Sequence, residues 1–130
     1  MTREPRWIGK RVLLMLHEES LATFGGAPGL RDEGLLDSAL ARPPNAYAYN
    51  PKCTLAVLAA CYAFGLAKNH AFVDGNKRIS FLSIGLFLGV NGQRLEADPV
   101  DAIRTTIRLA ASEIDEPKLA AWILQNAVLR

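Results

Sequence analysis

The sequence predicts an all-α fold: a compact six-helix domain around two central apolar helices. Three observations carry that expectation. Apolar residues recur at three- and four-residue steps, the period of an amphipathic helix, along most of the chain. Asn50-Pro51, Asp98-Pro99 and Glu116-Pro117 read as helix starts, because proline suits the first helical turn. No segment argues convincingly for a sheet.

Residues 1–6 are expected to fray. From Trp7 to Thr23, Ile8, Val12, Met15, Leu16 and Leu21 form the apolar stripe of a first helix, with His17, Glu18 and Glu19 near its polar side. Three glycines and a proline between Phe24 and Gly29 end it. Asp32 caps a second helix of about ten residues, predicted to stop before Arg42-Pro43-Pro44. Asn45–Asn50 reads as a loop carrying Tyr47 and Tyr49, where a partner can dock or an aromatic ring can fold back on the core.

The next helix, Lys52–Lys68, is apolar nearly all round and should have neighbours on several faces. A second central helix starts at Lys77 or Arg78 and ends at Asn91-Gly92. Gln93–Glu96 is expected to be a loop rather than a strand. The fifth helix runs from Pro99 to about Ser112, with Val100, Ile103 and Ile107 toward the core and Arg104 and Arg108 on a polar edge. The last turns Leu119, Trp122, Ile123, Ala127 and Leu129 inward. Trp7 and Trp122 should pack at the rim of the core.

A chain of 130 residues is one domain, with a core expected over about residues 7–129, and its 50% hydrophobic content suffices for that core. A formal charge of +2 is far from that of a general nucleic-acid binder, yet it permits a local anion site. Cys53 and Cys61 lack ligand or disulfide spacing and read as buried thiols of a reducing cytoplasm. The start of the chain has no signal-peptide pattern, and the run Leu82–Val90 is far shorter than the ~20 residues that span a bilayer. The expectation is a soluble, cytoplasmic protein that engages neither membrane nor nucleic acid directly.

Between the two apolar helices lies His70–Arg78, HAFVDGNKR. A polar cluster in such a place is costly unless its groups find partners. The imidazole of His70 could take a proton from a hydroxyl nucleophile. Asp74 is a hard oxygen ligand suited to Mg2+. Gly75 admits close approach of a phosphate. Asn76, Lys77, Arg78 and the backbone amides opening the next helix supply donors for phosphate oxygens. Together these groups suit phosphoryl or nucleotidyl transfer. A plainer alternative stands beside it, with Asp74 capping Asn76 and Lys77, and His70 closing the preceding helix. The spacing is neither that of a Walker phosphate loop nor that of a zinc site.

HAFVDGNKR resembles the signature loop of the Fic/Doc superfamily, H-x-F-x-D/E-A/G-N-K/G-R, at His70, Phe72, Asp74, Gly75, Asn76, Lys77 and Arg78. It is most similar to the Doc (death on curing) toxins, and FGGAPGLRDEGLLDSALARP, Phe24–Pro43, is similar to the segment preceding the helical core of those proteins. Fic enzymes carry G-N-G-R-x-x-R and move AMP from ATP onto a hydroxyl. Doc toxins have lysine in place of the second glycine and lack the second arginine. They phosphorylate a threonine of elongation factor Tu and halt translation.

Here those positions are Lys77 and Phe81, both on the Doc side, while Gly75 is the Fic form where Doc loops often have alanine. The resemblance implies His70 as general base, Asp74 as Mg2+ ligand, and Asn76, Lys77 and Arg78 as ATP phosphate binders. Lys68 sits where the family tends to be basic, near nucleotide or target, or is plain solvated surface. It also implies a small antitoxin partner with a disordered segment that folds on binding. AMP transfer to a protein hydroxyl, or a catalytically silent partner-binding protein, are the alternatives.

Overall fold

A computed structural model describes residues 3–130; residues 1 and 2, part of the segment expected to fray, lie outside the described residues. Six helices carry the fold: α1 (Lys10–Phe24), α2 (Glu33–Tyr49), α3 (Leu55–Asn69), α4 (Asn76–Val90), α5 (Pro99–Ala110) and α6 (Glu116–Asn126). Two short strands, β1 (Gln93–Leu95) and β2 (Ala127–Leu129), accompany them. No helix among the described residues is long and apolar enough to cross a membrane.

The two central helices are where the composition puts them. α3 packs against α2, α4, α5 and α6, and nine of its fifteen residues are buried. Its alanines permit the approach, and Ser80 of α4 donates its hydroxyl to the Ala63 carbonyl at 2.6 Å. Gly65 leaves a groove on the α2 side: a Cβ there would stand 3.2 Å from the Arg42 Cδ. Arg42 uses that groove to reach the Cys61 carbonyl at 3.0 Å and Glu116 at 2.7 Å, tying α2 to α3 and α6. Tyr62 and Phe87, both fully buried, fill the centre 5.1 Å apart. Each such burial is worth about 1.5–3 kcal/mol.

Several boundaries differ from expectation. Residues 3–8 form an ordered strap: Arg6 N–H donates to Asn91 Oδ1 at 2.8 Å, Asn91 returns a bond to the Arg6 carbonyl at 3.0 Å, and Ile8 N–H donates to the Tyr62 hydroxyl. α1 faces inward through Leu13, His17 and Ser20, so Val12 and Met15 are exposed and His17 is not on the polar side. The face is rotated because His17 finds a stacking partner and a hydrogen-bond partner inside.

α2 runs straight through Pro43 and Pro44 to Tyr49. Each proline forfeits one helical bond, but Pro43 is buried, Tyr47 packs edge-on to Trp7 at 5.7 Å, and Arg42 is anchored. Tertiary contacts therefore hold a segment that local rules would end, and Asn45–Tyr49 is helix rather than loop. Asn50 does not open α3. It accepts from Lys52 N–H in a turn, and Thr54 is the cap, accepting from Val57 N–H at 3.2 Å.

The C-terminal part holds two more corrections. Gln93–Leu95 is a strand, paired antiparallel with Ala127–Leu129, so α6 ends at Asn126 and the expectation of no sheet fails for this one ribbon. Asp98 and Asp115 cap α5 and α6 as their proline starts suggest. On α5, however, Val100, Ile103 and Ile107 are 61, 62 and 61% exposed, and Thr105 and Leu109 face the core instead. Trp122 is half-buried at the rim and donates to Asp101 at 2.7 Å.

Candidate active site

The polar loop between α3 and α4 rests on the glycine-rich segment between α1 and α2. Arg31 and Asp32 N–H groups both donate to the Ala71 carbonyl, at 2.7 and 3.0 Å, and Val73 N–H donates to the Gly29 carbonyl at 3.0 Å. Leu30 and Phe72 face each other across this contact in a β-bridge. Phe72 is buried, and the Asn76 carboxamide brackets it, accepting from Phe72 N–H at 3.0 Å and donating to the Phe72 carbonyl at 2.9 Å. These bonds satisfy backbone groups that would otherwise be costly to bury.

His70 closes α3 in the left-handed region, φ 49° and ψ 50°. A non-glycine residue pays for that conformation with about 1 kcal/mol or more, and Arg31 offsets it. Its guanidinium donates to the His70 carbonyl at 2.7 Å and the Asn69 carbonyl at 3.1 Å, satisfying helix-end acceptors. His70 is thus a helix terminator by its backbone, while its exposed side chain is left for other work.

Asp74 does not cap α4. Its Oδ2 accepts from Ala27 N–H at 3.0 Å and its Oδ1 from Gly75 N–H at 2.8 Å. The two amides, Ala27 foremost, hold its carboxyl below the usual carboxylate range, and Arg78 adds to the effect. An ionised carboxylate offers about four lone-pair sites, so two remain for a cation. The residues present fit Mg2+ held by one carboxylate together with substrate phosphates. Gly26 makes the contact possible: at φ 126° a Cβ would lie 3.0 Å from Asp74 Oδ2.

Gly75 stands just before α4 as its cap residue, with φ 78° and no side-chain hydrogen bond to offer. Its first amide groups therefore lack both an intrahelical acceptor and a capping oxygen, which is the arrangement of an anion site. Glycine adopts this left-handed turn with little cost, whereas alanine would be strained there. Arg78 stands beside it, one Nη1 bond going to the Gly25 carbonyl at 3.2 Å and its guanidinium lying 4.8 Å over the Phe24 ring.

An open cleft of about 460 Å³ joins these groups, lined by His70, Val73, Asp74, Gly75, Asn76, Lys77, Arg78 and Thr106. Six of the seven residues singled out in the sequence come together there. Lys68 stands apart from that lining: its ammonium bonds Ser112 Oγ and lies 5.1 Å from the centre of the Phe64 ring. The residues that sequence reasoning missed are those holding the loop from behind, His17, Ala27 and Arg31, and Thr106 on the far wall. For Ala27 and Arg31 the signal was the segment Phe24–Pro43, read as a helix break and as similar to the segment preceding the Doc helical core; for His17 and Thr106 there was none. Cys61 lies deep in α3, its thiol pushed up to about 11 by burial, and so takes no part in this chemistry.

The family model described as Fic/DOC family matches residues 7–88. Over 115 residues the chain is 31% identical to "Protein kinase doc" of Escherichia phage P1, covering 88% of this chain and 90% of that protein. Over 76 residues it is 46% identical to "Toxin Doc" of Mycolicibacterium smegmatis, covering 58% of each. The matched segment contains the glycine-rich bed, both central helices nearly entire and the whole loop His70–Arg78. The chain belongs to the Fic/DOC family.

Proposed function

We propose that this protein is the toxin of a toxin–antitoxin pair, a Mg-ATP-dependent protein kinase that transfers the γ-phosphate to a threonine hydroxyl of elongation factor Tu. The observation that carries the reading is the joining of His70, Asp74 and the uncapped start of α4 in one cleft, with Lys77 where AMP-transferring relatives have glycine. The names of the two relatives, a toxin and a protein kinase, support the same class.

In this reading His70 accepts the proton of the target hydroxyl, and its clamped backbone fixes where the imidazole stands. The amides opening α4 and the Arg78 guanidinium stabilise charge on the transferring phosphoryl oxygens. The Asn76 contribution is its backbone N–H, since its carboxamide is committed to Phe72. Lys77, exposed at the first turn, places a point charge where a glycine would admit a further phosphate, so the γ end of ATP is the one presented. Bound at Asp74, Mg2+ would neutralise phosphate charge. Lys68 falls to the margin, outside the cleft lining and turned to Ser112.

Such a toxin works in the cytoplasm beside its target and is held in check by an antitoxin segment that folds on binding. The bare apolar stripe of α5, Val100, Ile103 and Ile107 flanked by Arg104 and Arg108, supports a seat for that segment next to Thr106 of the cleft.

Incubation with elongation factor Tu and ATP labelled at either the α or the γ phosphate tests the reading. Label from the γ position on the target is expected. Label from the α position would mean AMP transfer, and no label from either would leave a protein that acts by binding alone.

A further inference from the structure

The cleft gives work to nearly every polar group of the loop, but one buried ionisable residue stands behind it. His17, midway along α1, is 4% exposed. Its ring stacks on Phe72 with centroids 3.7 Å apart and planes 16° from parallel. Its Nε2 lies 2.8 Å from the Asp74 carbonyl oxygen. A carbonyl oxygen only accepts, so Nε2 carries the hydrogen and donates. A Cβ at Gly75 would be 3.4 Å from the same nitrogen, so the imidazole fills the space behind the Asp74–Gly75 peptide.

The consequence runs through that peptide. Its carbonyl and the Gly75 N–H share one rigid plane and point in opposite directions. Holding the oxygen toward α1 therefore fixes the N–H on the other side, where Asp74 Oδ1 receives it at 2.8 Å. Gly75 then takes the left-handed conformation, φ 78° and ψ 16°, and Asn76 opens the right-handed helix. A left-handed residue followed by a right-handed one turns successive N–H groups toward a common centre, an anion-binding concavity.

We propose that His17 is a positioning residue for the phosphate site: by donating to the Asp74 carbonyl it sets the peptide from which the amide concavity at the start of α4 is built. It does not touch substrate. The inference rests on the phosphate-transfer reading, deepening it by naming what holds that site in shape. A residue that only filled space at position 17 would need no donor, and this donor reaches across 57 positions of the chain to one carbonyl.

The substitution His17→Phe keeps a buried ring against Phe72 and removes the donor. His17→Gln gives up the stack and keeps an amide N–H at similar reach. Binding of inorganic tripolyphosphate and of Mg-ATP is measured by calorimetry, with kcat and the two KM values alongside and circular dichroism to follow folding. With folding intact, His17→Phe should bind tripolyphosphate and ATP about tenfold more weakly, the scale of one lost hydrogen bond in a buried setting. The KM for the protein substrate should stay put, and His17→Gln should recover binding to within about threefold of the parent.

Parent-like tripolyphosphate binding by His17→Phe overturns the proposal, and so does equal weakening of both variants, which would assign the effect to disturbed packing at position 17 and not to the donor. If His17→Phe does not fold, the parent labelled with 15N decides. The His17 Nε2 and Gly75 amide resonances should shift together as tripolyphosphate is added, and a static Nε2 signal counts against the role. A parent that binds no tripolyphosphate sinks the phosphate reading itself, whereas parent binding with an unaffected variant sinks only the role of His17.

Discussion

The loop His70–Arg78 and the outer face of α5 both break the rule that polar groups face water and apolar groups face the core, and the chain treats them differently. The loop sets charged and polar groups against two apolar helices, and the chain itself supplies the partners: Ala27, Gly29 and Arg31 from the glycine-rich segment and His17 from α1. The α5 face leaves Val100, Ile103 and Ile107 in solvent, and nothing within the described residues covers them. A conflict resolved internally marks a site built to stay rigid. One left open marks a surface that waits for another molecule.

The largest effect should come from removing the group proposed to take the proton of the target hydroxyl. His70→Ala is expected to lower the transfer rate by about 10²–10⁴-fold, the range for a lost general base. Expression of the variant should no longer arrest growth. Because the His70 side chain is exposed, its thermal midpoint should stay near that of the parent. Growth inhibition equal to the parent's would detach toxicity from this cleft.

Breaking the clamp should cost less catalysis and more stability. Gly26→Ala puts a Cβ 2.8 Å from Leu21 Cδ2 and 3.0 Å from Asp74 Oδ2, at a φ of 126°. Strain of that kind is worth about 1–3 kcal/mol, so unfolding in urea should begin at visibly lower denaturant. The Ala27 bond to Asp74 should loosen with it, and Mg2+ dependence should move to higher concentration. Parent-like behaviour in both measurements would show that the glycine turn is only a connection.

The same contrast explains what the sequence could reveal. α3 and α4 were legible because a helix apolar on all faces has one solution, the centre of a bundle. Apart from Thr106, the groups that line the cleft were legible because they are contiguous in the chain, His70 to Arg78. The clamp was not, since its bonds join residues up to 57 positions apart and involve backbone carbonyls that have no sequence signature. Helix α2 continued through Pro43 and Pro44 for a similar reason: the Trp7–Tyr47 contact and the Arg42–Glu116 pair are tertiary, and local propensity knows nothing of them. The stripe on α5 was found but assigned to the core, because periodicity locates an apolar face without saying who covers it. Three-residue strands such as β1 and β2 offer too little alternation to be seen at all.

A smaller effect is expected from the charge at Asp74. Its folded pKa is depressed by the Ala27 and Gly75 amides, so its ionisation favours the folded state at pH above the ordinary carboxylate value near 4. That contribution fades as pH falls through the lower folded value. Asp74→Asn cannot ionise, so its stability should fall less steeply than the parent's below about pH 4. Unfolding midpoints collected from pH 7 down to about pH 2 would measure the difference. Curves that stay parallel over the whole range would mean that the two amides do not favour the ionised carboxylate.

The smallest effect on the protein alone should come from α5. Ile103→Glu replaces an apolar side chain that is 62% exposed, so little buried area is lost and stability should change by no more than about 0.5 kcal/mol. Transfer activity should be unaltered, since Ile103 does not line the cleft. The change should appear only when the antitoxin is present. A folding segment that lays apolar side chains against Val100, Ile103 and Ile107 would meet a buried, unpaired carboxylate, and neutralisation should weaken by about tenfold or more. Arg104 and Arg108 border the stripe, so the added charge could be partly met by either guanidinium. Ile103→Ala, which removes area without adding charge, should then weaken neutralisation less than Ile103→Glu. If both variants are neutralised as well as the parent, the antitoxin sits elsewhere and the exposed face of α5 has another occupant.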